Sequence, residues 1–227
     1  MFDNFFNTDM IRNVLLMAIP ALLCITIHEL AHGYTAYKLG DNTAKQMGRL
    51  TLNPIKHIDP IGLLMILLVG FGWAKPVPVN MNNFEKQRLG MAITAFAGPL
   101  SNIILAIIIL IIFFLLPFPH GGFHALATNA IVPTIIFRTA FLSITLAVFN
   151  MLPIPPLDGS KIFFSVLNDD AYFKLMRYER FGMIFVLLLV LSGRFLAFDV
   201  FGIIVAEPAL FLVTGISDVI QRIFAFF

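Results

Sequence analysis

Residues 14–32 read Val-Leu-Leu-Met-Ala-Ile-Pro-Ala-Leu-Leu-Cys-Ile-Thr-Ile-His-Glu-Leu-Ala-His, an unbroken apolar run that ends in a cluster of ionisable side chains. Together with its neighbours, from about residue 10 to residue 34, the run exceeds the roughly 20 residues that a helix needs to cross a bilayer. No basic segment precedes it and no small-residue cleavage site follows it. We therefore expect a membrane helix that is retained, rather than a signal peptide.

The end of this helix carries a metal-binding pattern. His28 and His32 stand four residues apart, so on a helix they share a face and can bind one zinc ion, with Glu29 beside it as a candidate general base. Ionisable side chains inside a membrane segment are costly and generally functional. The alternative is a pair of interfacial histidines that form hydrogen bonds with neighbouring helices. The pattern favours the metal site.

The composition indicates that lipid is the main surrounding of the chain. Hydrophobic residues make up 59% of it and charged residues 12%, whereas a soluble domain has about 25% charged residues. The formal charge of +2 is small and confined to a few loops, which argues against nucleic acid as a partner. With a single cysteine, Cys24, no intramolecular disulfide can form.

Further apolar segments follow at 61–74, 91–116, 131–152, 181–198 and 200–220. We expect an all-α polytopic membrane protein with five to six transmembrane helices. The segment 61–74 is too short to span and predicts a re-entrant or interfacial element. Residues 1–227 form one predicted domain, with a core at 10–165 and C-terminal helices at 166–227.

The distribution of Lys and Arg predicts an orientation. Loops 35–60, 75–90 and 153–180 carry these residues, and loop 117–130 carries none. The positive-inside rule places the first three loops in the cytosol. The chain is thus expected in the cell membrane with its metal site near the cytosolic side.

The third metal ligand must come from another segment, because catalytic zinc usually has three protein ligands. Asp158 is the best candidate, in Asn150-Met-Leu-Pro-Ile-Pro-Pro-Leu-Asp158-Gly159. The predicted topology brings the end of this helix to the side where the two histidines lie. Asp158 could instead be a turn residue before Gly159.

Together the motifs resemble the site-2 protease family of intramembrane zinc metalloproteases, in its compact bacterial branch without a PDZ insert. Further matches are Leu52-Asn-Pro-Ile-Lys-His-Ile-Asp-Pro-Ile-Gly62, Gly72-Trp-Ala-Lys-Pro-Val-Pro-Val79 and Ala97-Gly-Pro-Leu-Ser-Asn102. The resemblance implies one zinc ion per chain, held by His28, His32 and Asp158, with Glu29 as general base and Asn150 at the substrate oxyanion. It also implies a transmembrane-helix substrate.

The resemblance implies in addition a small membrane-associated β element between the first helix and the helix starting near residue 91. Residues 40–60 and 72–82 would supply its strands. Cys24, four residues before His28, is the fallback third ligand. Asn102 is expected to bond a neighbouring helix. A metal transporter and a catalytically silent zinc scaffold remain the alternative functions.

Overall fold

The computed structural model describes residues 8–69, 72–116, 131–177, 179–195 and 199–224. In chain order the helices are α1 (Thr8–Lys38), α2 (Thr43–Gln46), α3 (Pro60–Val69), α4 (Gln87–Leu115), α5 (Ile131–Asn150), α6 (Asp158–Phe164), α7 (Asp169–Met176), α8 (Glu179–Phe195) and α9 (Glu207–Phe224). Short 3-10 helices cover Pro54–His57 and Met81–Asn83, and a π-helical turn, Gly202–Ala206, leads into α9. The prediction of an all-α membrane fold is confirmed for these ranges.

Four helical stretches of the described chain are long and apolar enough to cross a membrane. They are Leu16–Lys38, Gln87–Leu115, Ile131–Asn150 and Gly202–Phe224. The apolar part of α8, Phe181–Gly193, is shorter, as is the whole of α3. The described ranges therefore hold four candidate spans, and the expected count of five to six stays a prediction. The Lys- and Arg-free loop 117–130 lies outside those ranges.

The core of the bundle lies between α4, α5 and α9. Its buried side chains are Ala106, Leu110, Ala140, Ile144, Ala209, Val213 and Ile220. Small residues such as the three alanines let membrane helices approach closely. The rings of Phe149 and Phe201 lie 5.9 Å apart, so the end of α5 meets the start of the α9 span and the two helices run antiparallel.

One face of α1 is buried as a ridge with a spacing of four residues. Its members are Leu16, Pro20, Cys24, His28, His32 and Ala36. Ridges of this spacing pack into the grooves of neighbouring helices, here those of α4 and α5. The other faces carry exposed apolar residues such as Met17, Leu23 and Tyr34. The same ridge that packs the helix therefore also carries both histidines inward.

The described residues do not support the predicted β element. Between α1 and α4 the described residues form a single isolated antiparallel bridge, Ile58 with Ala74, supported by the Lys75 N–H donating to the His57 carbonyl at 2.9 Å. Proline lacks the N–H that a sheet ladder requires. This segment contains four prolines, Pro54, Pro60, Pro76 and Pro78, and α3 takes up its middle.

Residues 74–80, which we call the strap, run past the end of α1 without forming a helix. Arg49 donates from Nη2 to the Lys75 carbonyl at 2.7 Å. At the other end the Asn80 N–H donates to the Asp41 carboxylate at 2.7 Å. Asp41 is fully buried and also accepts from the Thr43 hydroxyl at 2.5 Å. Buried groups from the loop after α1 therefore fix the strap at both ends.

Candidate metal centre

The centre is assembled from α1 and the first residue of α6. His28 Nε2 and His32 Nε2 each lie 3.1 Å from Asp158 Oδ2, and the two Nε2 atoms lie 2.9 Å apart. All three side chains are buried, with at most 9% of the residue exposed. The helical spacing of four thus brings the imidazoles together, and the fold adds the carboxylate expected from the sequence.

The donor set fits a zinc ion. In a tetrahedral site with bonds of about 2.0–2.1 Å, ligand atoms lie about 3.3 Å from one another. The three atoms here are already close to that spacing and would separate by a few tenths of an ångström. Two imidazoles and one carboxylate leave a fourth position, as catalytic zinc sites do. Within the described residues this is the one group of three or more metal-ligating side chains.

The tautomer of His32 is set by a backbone carbonyl. His32 Nδ1 lies 2.7 Å from the Thr94 oxygen, and a carbonyl oxygen can only accept. Nδ1 therefore carries the proton, and in the neutral ring Nε2 is left with a free lone pair. A metal-binding histidine almost always donates its other ring N–H in this way. Backbone of α4 thus prepares His32 as a ligand.

α4 approaches α1 at the centre through residues spaced by four, namely Thr94, Gly98 and Asn102. Gly98 faces both imidazoles, and a Cβ at this position would lie 2.6 Å from His28 Cε1 and still closer to the ring of His32. Only glycine permits this approach. Asn102, fully buried, lies with Nδ2 3.2 Å from His28 Nδ1.

Glu29 is oriented by the strap. Its Oε2 accepts a hydrogen bond of 2.7 Å from the Val77 N–H. The neighbours of Val77 are Pro76 and Pro78, which have no N–H, so Val77 supplies the one donor in this stretch. The bond uses one carboxylate oxygen and leaves the other for chemistry. Glu29 is buried and directly follows His28 in α1.

Asp158 follows the turn between α5 and α6, which contains three prolines. Burial alone would raise the pKa of Asp158, but the two imidazoles whose Nε2 atoms face its Oδ2 hold the pKa below its usual range. The carboxyl group is therefore ionised near neutral pH, as a metal ligand requires. A Cβ at Gly159 would collide with the Met151 carbonyl, so the close turn that aims Asp158 depends on glycine.

Three other polar residues of the sequence motifs and helices form hydrogen bonds with partners outside the cluster. Asn150 donates from Nδ2 to the Leu146 carbonyl of its own helix at 3.0 Å. The thiol of Cys24 contacts the Thr139 carbonyl at 3.5 Å, not the cluster. His57 bonds through Nε2 to the Thr51 carbonyl at 2.9 Å.

Sequence reasoning missed the contributions of Thr94 and Val77. Both act through backbone atoms, which no side-chain motif reveals. The Pro-Val-Pro pattern around Val77 was the available signal, since it leaves a single N–H in an extended segment.

Comparisons with known proteins place the chain in a family. It matches the family model described as Peptidase family M50 over residues 16–127 and 118–192. The Bacillus subtilis protein named "Putative zinc metalloprotease YwhC" is 45% identical over 78% of this chain and 80% of its own length. Two proteins named "Putative zinc metalloprotease Rip2", from Mycolicibacterium smegmatis and Mycobacterium tuberculosis, are each 30% identical over 75% of this chain and 64% of their own length. No solved structure matches the chain.

The chain therefore belongs to peptidase family M50. The resemblance to the site-2 proteases is confirmed, and the protein is a membrane-embedded metalloprotease. A transporter is not favoured.

Proposed function

We propose that this protein is an intramembrane endopeptidase that holds one zinc ion per chain through His28, His32 and Asp158. The observation that carries the proposal is the convergence of three buried ligand atoms within 3.1 Å of one another, next to a buried glutamate. The names of the relatives YwhC and Rip2 also specify zinc.

Each residue then has a distinct role. A bound zinc ion supplies Lewis-acid activation of water and of the scissile carbonyl. Glu29, held by the Val77 N–H, takes the proton of the attacking water and later delivers it to the leaving nitrogen. Asn150, at the end of α5, donates to the oxyanion that develops on the substrate carbonyl. For this it exchanges its bond with Leu146 for one with the substrate.

The proposed substrate is a transmembrane helix of another protein, reached through the lipid. A helix keeps its carbonyls hydrogen-bonded, so it must unwind locally before a peptide bond can be attacked. Gly or Pro near the cut weakens the helix and should speed cleavage. The check is a series of model substrates that differ only at one such position, and equal rates across the series would contradict local unwinding.

The proposed orientation puts the centre near the cytosolic side of the cell membrane. Loops 35–60, 75–90 and 153–180 hold most of the Lys and Arg residues and flank the cluster. The positive-inside rule assigns such loops to the cytosol.

The decisive experiment measures zinc content and cleavage in parallel, on full-length protein in detergent. We expect about one zinc per chain in wild type and in Glu29→Gln, and little in His28→Ala or Asp158→Ala. Cleavage of a helical membrane substrate should be lost in all three variants. Glu85→Gln, which changes an exposed glutamate, is the matched control and should behave as wild type.

Any of three results would contradict the proposal. Wild type without bound zinc would remove the metal centre. Cleavage by Glu29→Gln at the wild-type rate would remove the assigned base. Zinc retained in Asp158→Ala would show that another group is the third ligand.

A further inference from the structure

The Nδ1 atoms of His28 and His32 have different hydrogen-bond partners. His32 Nδ1 meets the Thr94 carbonyl at 2.7 Å, which fixes its proton on that atom. His28 Nδ1 instead meets the side-chain amide of Asn102, with Nδ2 at 3.2 Å. An amide carries both a donor and an acceptor, so this contact alone does not fix the tautomer of His28.

The surroundings of Asn102 decide which end of the amide faces the ring. Its Oδ1 is buried and has no hydrogen-bond partner within the described part of the chain. The nitrogen and oxygen of an amide occupy nearly interchangeable positions. Half a turn about the last side-chain bond therefore brings Oδ1 to His28 Nδ1 without moving the backbone.

The position of His28 Nε2 determines which nitrogen of the ring must carry the proton. It points at Asp158 Oδ2 and His32 Nε2, so this is the atom that can bind a metal. A neutral imidazole has one N–H, and binding through Nε2 leaves it on Nδ1. A proton on Nδ1 needs an acceptor, and Oδ1 of Asn102 is the acceptor within reach.

We propose that Asn102 is a positioning residue of the metal centre, whose Oδ1 accepts the Nδ1–H of His28 and holds the ring with Nε2 toward the metal. The inference rests on the zinc site proposed above. It makes the centre symmetrical, since α4 then supplies an oxygen to each imidazole, from the Thr94 backbone and from the Asn102 side chain.

Packing keeps Asn102 in place for this role. It stands one helical turn beyond Gly98, on the face of α4 that touches the imidazoles. Its backbone carbonyl accepts from the Ser143 hydroxyl of α5 at 2.8 Å. This second bond is independent of the amide group, so Ser143 provides a matched control.

The test is zinc affinity, measured by competition with a chromophoric chelator on full-length protein in detergent. Asn102→Leu keeps the approximate size but removes the acceptor, and should weaken zinc binding by about 10–100-fold, the usual loss for an outer partner of a ligand. Asn102→Asp keeps an acceptor and should stay close to wild type. Ser143→Ala should also bind zinc as wild type does.

Each variant can overturn the inference. Wild-type affinity in Asn102→Leu would show that the amide oxygen is not needed. If that variant does not fold, Asn102→Asp decides, because a tenfold loss there would mean that the NH2 group is what matters. An equal loss in Ser143→Ala would trace the effect to helix packing. Failure of wild type itself to bind zinc is a different result and refutes the proposed function.

Discussion

Gly98 sets the distance between α1 and α4 at the centre, because a side chain there would overlap both imidazoles. We expect Gly98→Ala to weaken zinc binding by about tenfold or more, in line with the roughly 1–3 kcal/mol cost of overpacking. Chelator competition measures the effect. Gly215→Ala is the control, since a Cβ at that position of α9 meets open space. This substitution should be neutral or slightly stabilising. Equal zinc affinity in both variants would contradict the tight approach.

Asn150 tests whether the oxyanion role is correct. Its side chain bonds within α5, so Asn150→Ala should leave zinc binding unchanged. If Asn150 stabilises the oxyanion, kcat should fall by about 10²–10³-fold. Steady-state cleavage and zinc content measured on the same preparation separate the two effects. A kcat close to that of wild type would assign the oxyanion to another donor.

At the scale of single residues, the sequence predicted which side chains form the cluster better than it predicted the atoms that contact them. His28, His32 and Asp158 converge as expected because helical periodicity and a proline-rich turn are both legible in the sequence. The sequence does not reveal that Asp158 Oδ2 faces both rings, or that Thr94 and Val77 contribute backbone atoms. These depend on how the helices dock, which is a long-range property.

Among the elements, the strap connects the loop after α1 with the proposed base. Val77→Pro removes the N–H that binds Glu29 while keeping an extended segment. We expect a loss of about 10²-fold in kcat, the scale expected for a misplaced catalytic group, with zinc retained. Val77→Ala keeps the N–H and should lie near wild type. Unchanged kcat in Val77→Pro would show that Glu29 does not need this bond.

Asp41 anchors the strap and gives it a pH dependence. Burial would raise the pKa of Asp41, but hydrogen bonds from Thr43, Asn80 and Asn83 lower it below 3.8. A lowered pKa in the folded protein means that the stabilisation is complete above the ordinary pKa and is lost as the pH falls through the lower, folded value.

Asp41→Asn should therefore destabilise the protein by about 1–3 kcal/mol near neutral pH. The gap from wild type should shrink below about pH 4. Thermal unfolding at several pH values measures both, and Glu85→Gln, at an exposed position, serves as the control. A gap that does not change with pH would rule out the ionised carboxylate as its source.

The β element shows why this segment was harder to predict than the helices. The resemblance to the site-2 protease family implied strands here, but the prolines of the segment lack the N–H groups that a ladder needs. The backbone instead finds partners in buried side chains, namely Asp41, Arg49 and Glu29. Side-chain to backbone bonds of this kind leave no periodic trace in a sequence.

For the whole molecule, the contact between Phe149 and Phe201 sets the direction of the last span. If α9 crosses the membrane, its C-terminal end lies on the side opposite the metal centre. We expect Gln221→Cys to react with an impermeant thiol reagent on intact cells and Gln46→Cys only after permeabilisation. Wild type, with its buried Cys24, is the blank. Labelling of both variants from one side would mean that α9 does not cross.

The count of five to six spans stays a prediction, because hydropathy alone does not distinguish a span from a short packed helix. α8 is apolar and buries one face through Gly182, Val186 and Leu189, but its apolar stretch is shorter than a span. The four spans with strong hydropathy were all predicted.

The position of His32 along α1 determines the depth at which a substrate helix would be cut. His32 precedes Lys38, the last residue of the helix, by six positions, or about 9 Å along the axis. If the substrate is, as proposed, a transmembrane helix that lies alongside α1, the cut would leave about six of its membrane residues on the side of Lys38. Neither fragment then keeps the roughly 20 apolar residues that anchor a helix in a bilayer. Cleavage at this depth would by itself leave two fragments that are each too short to span the bilayer.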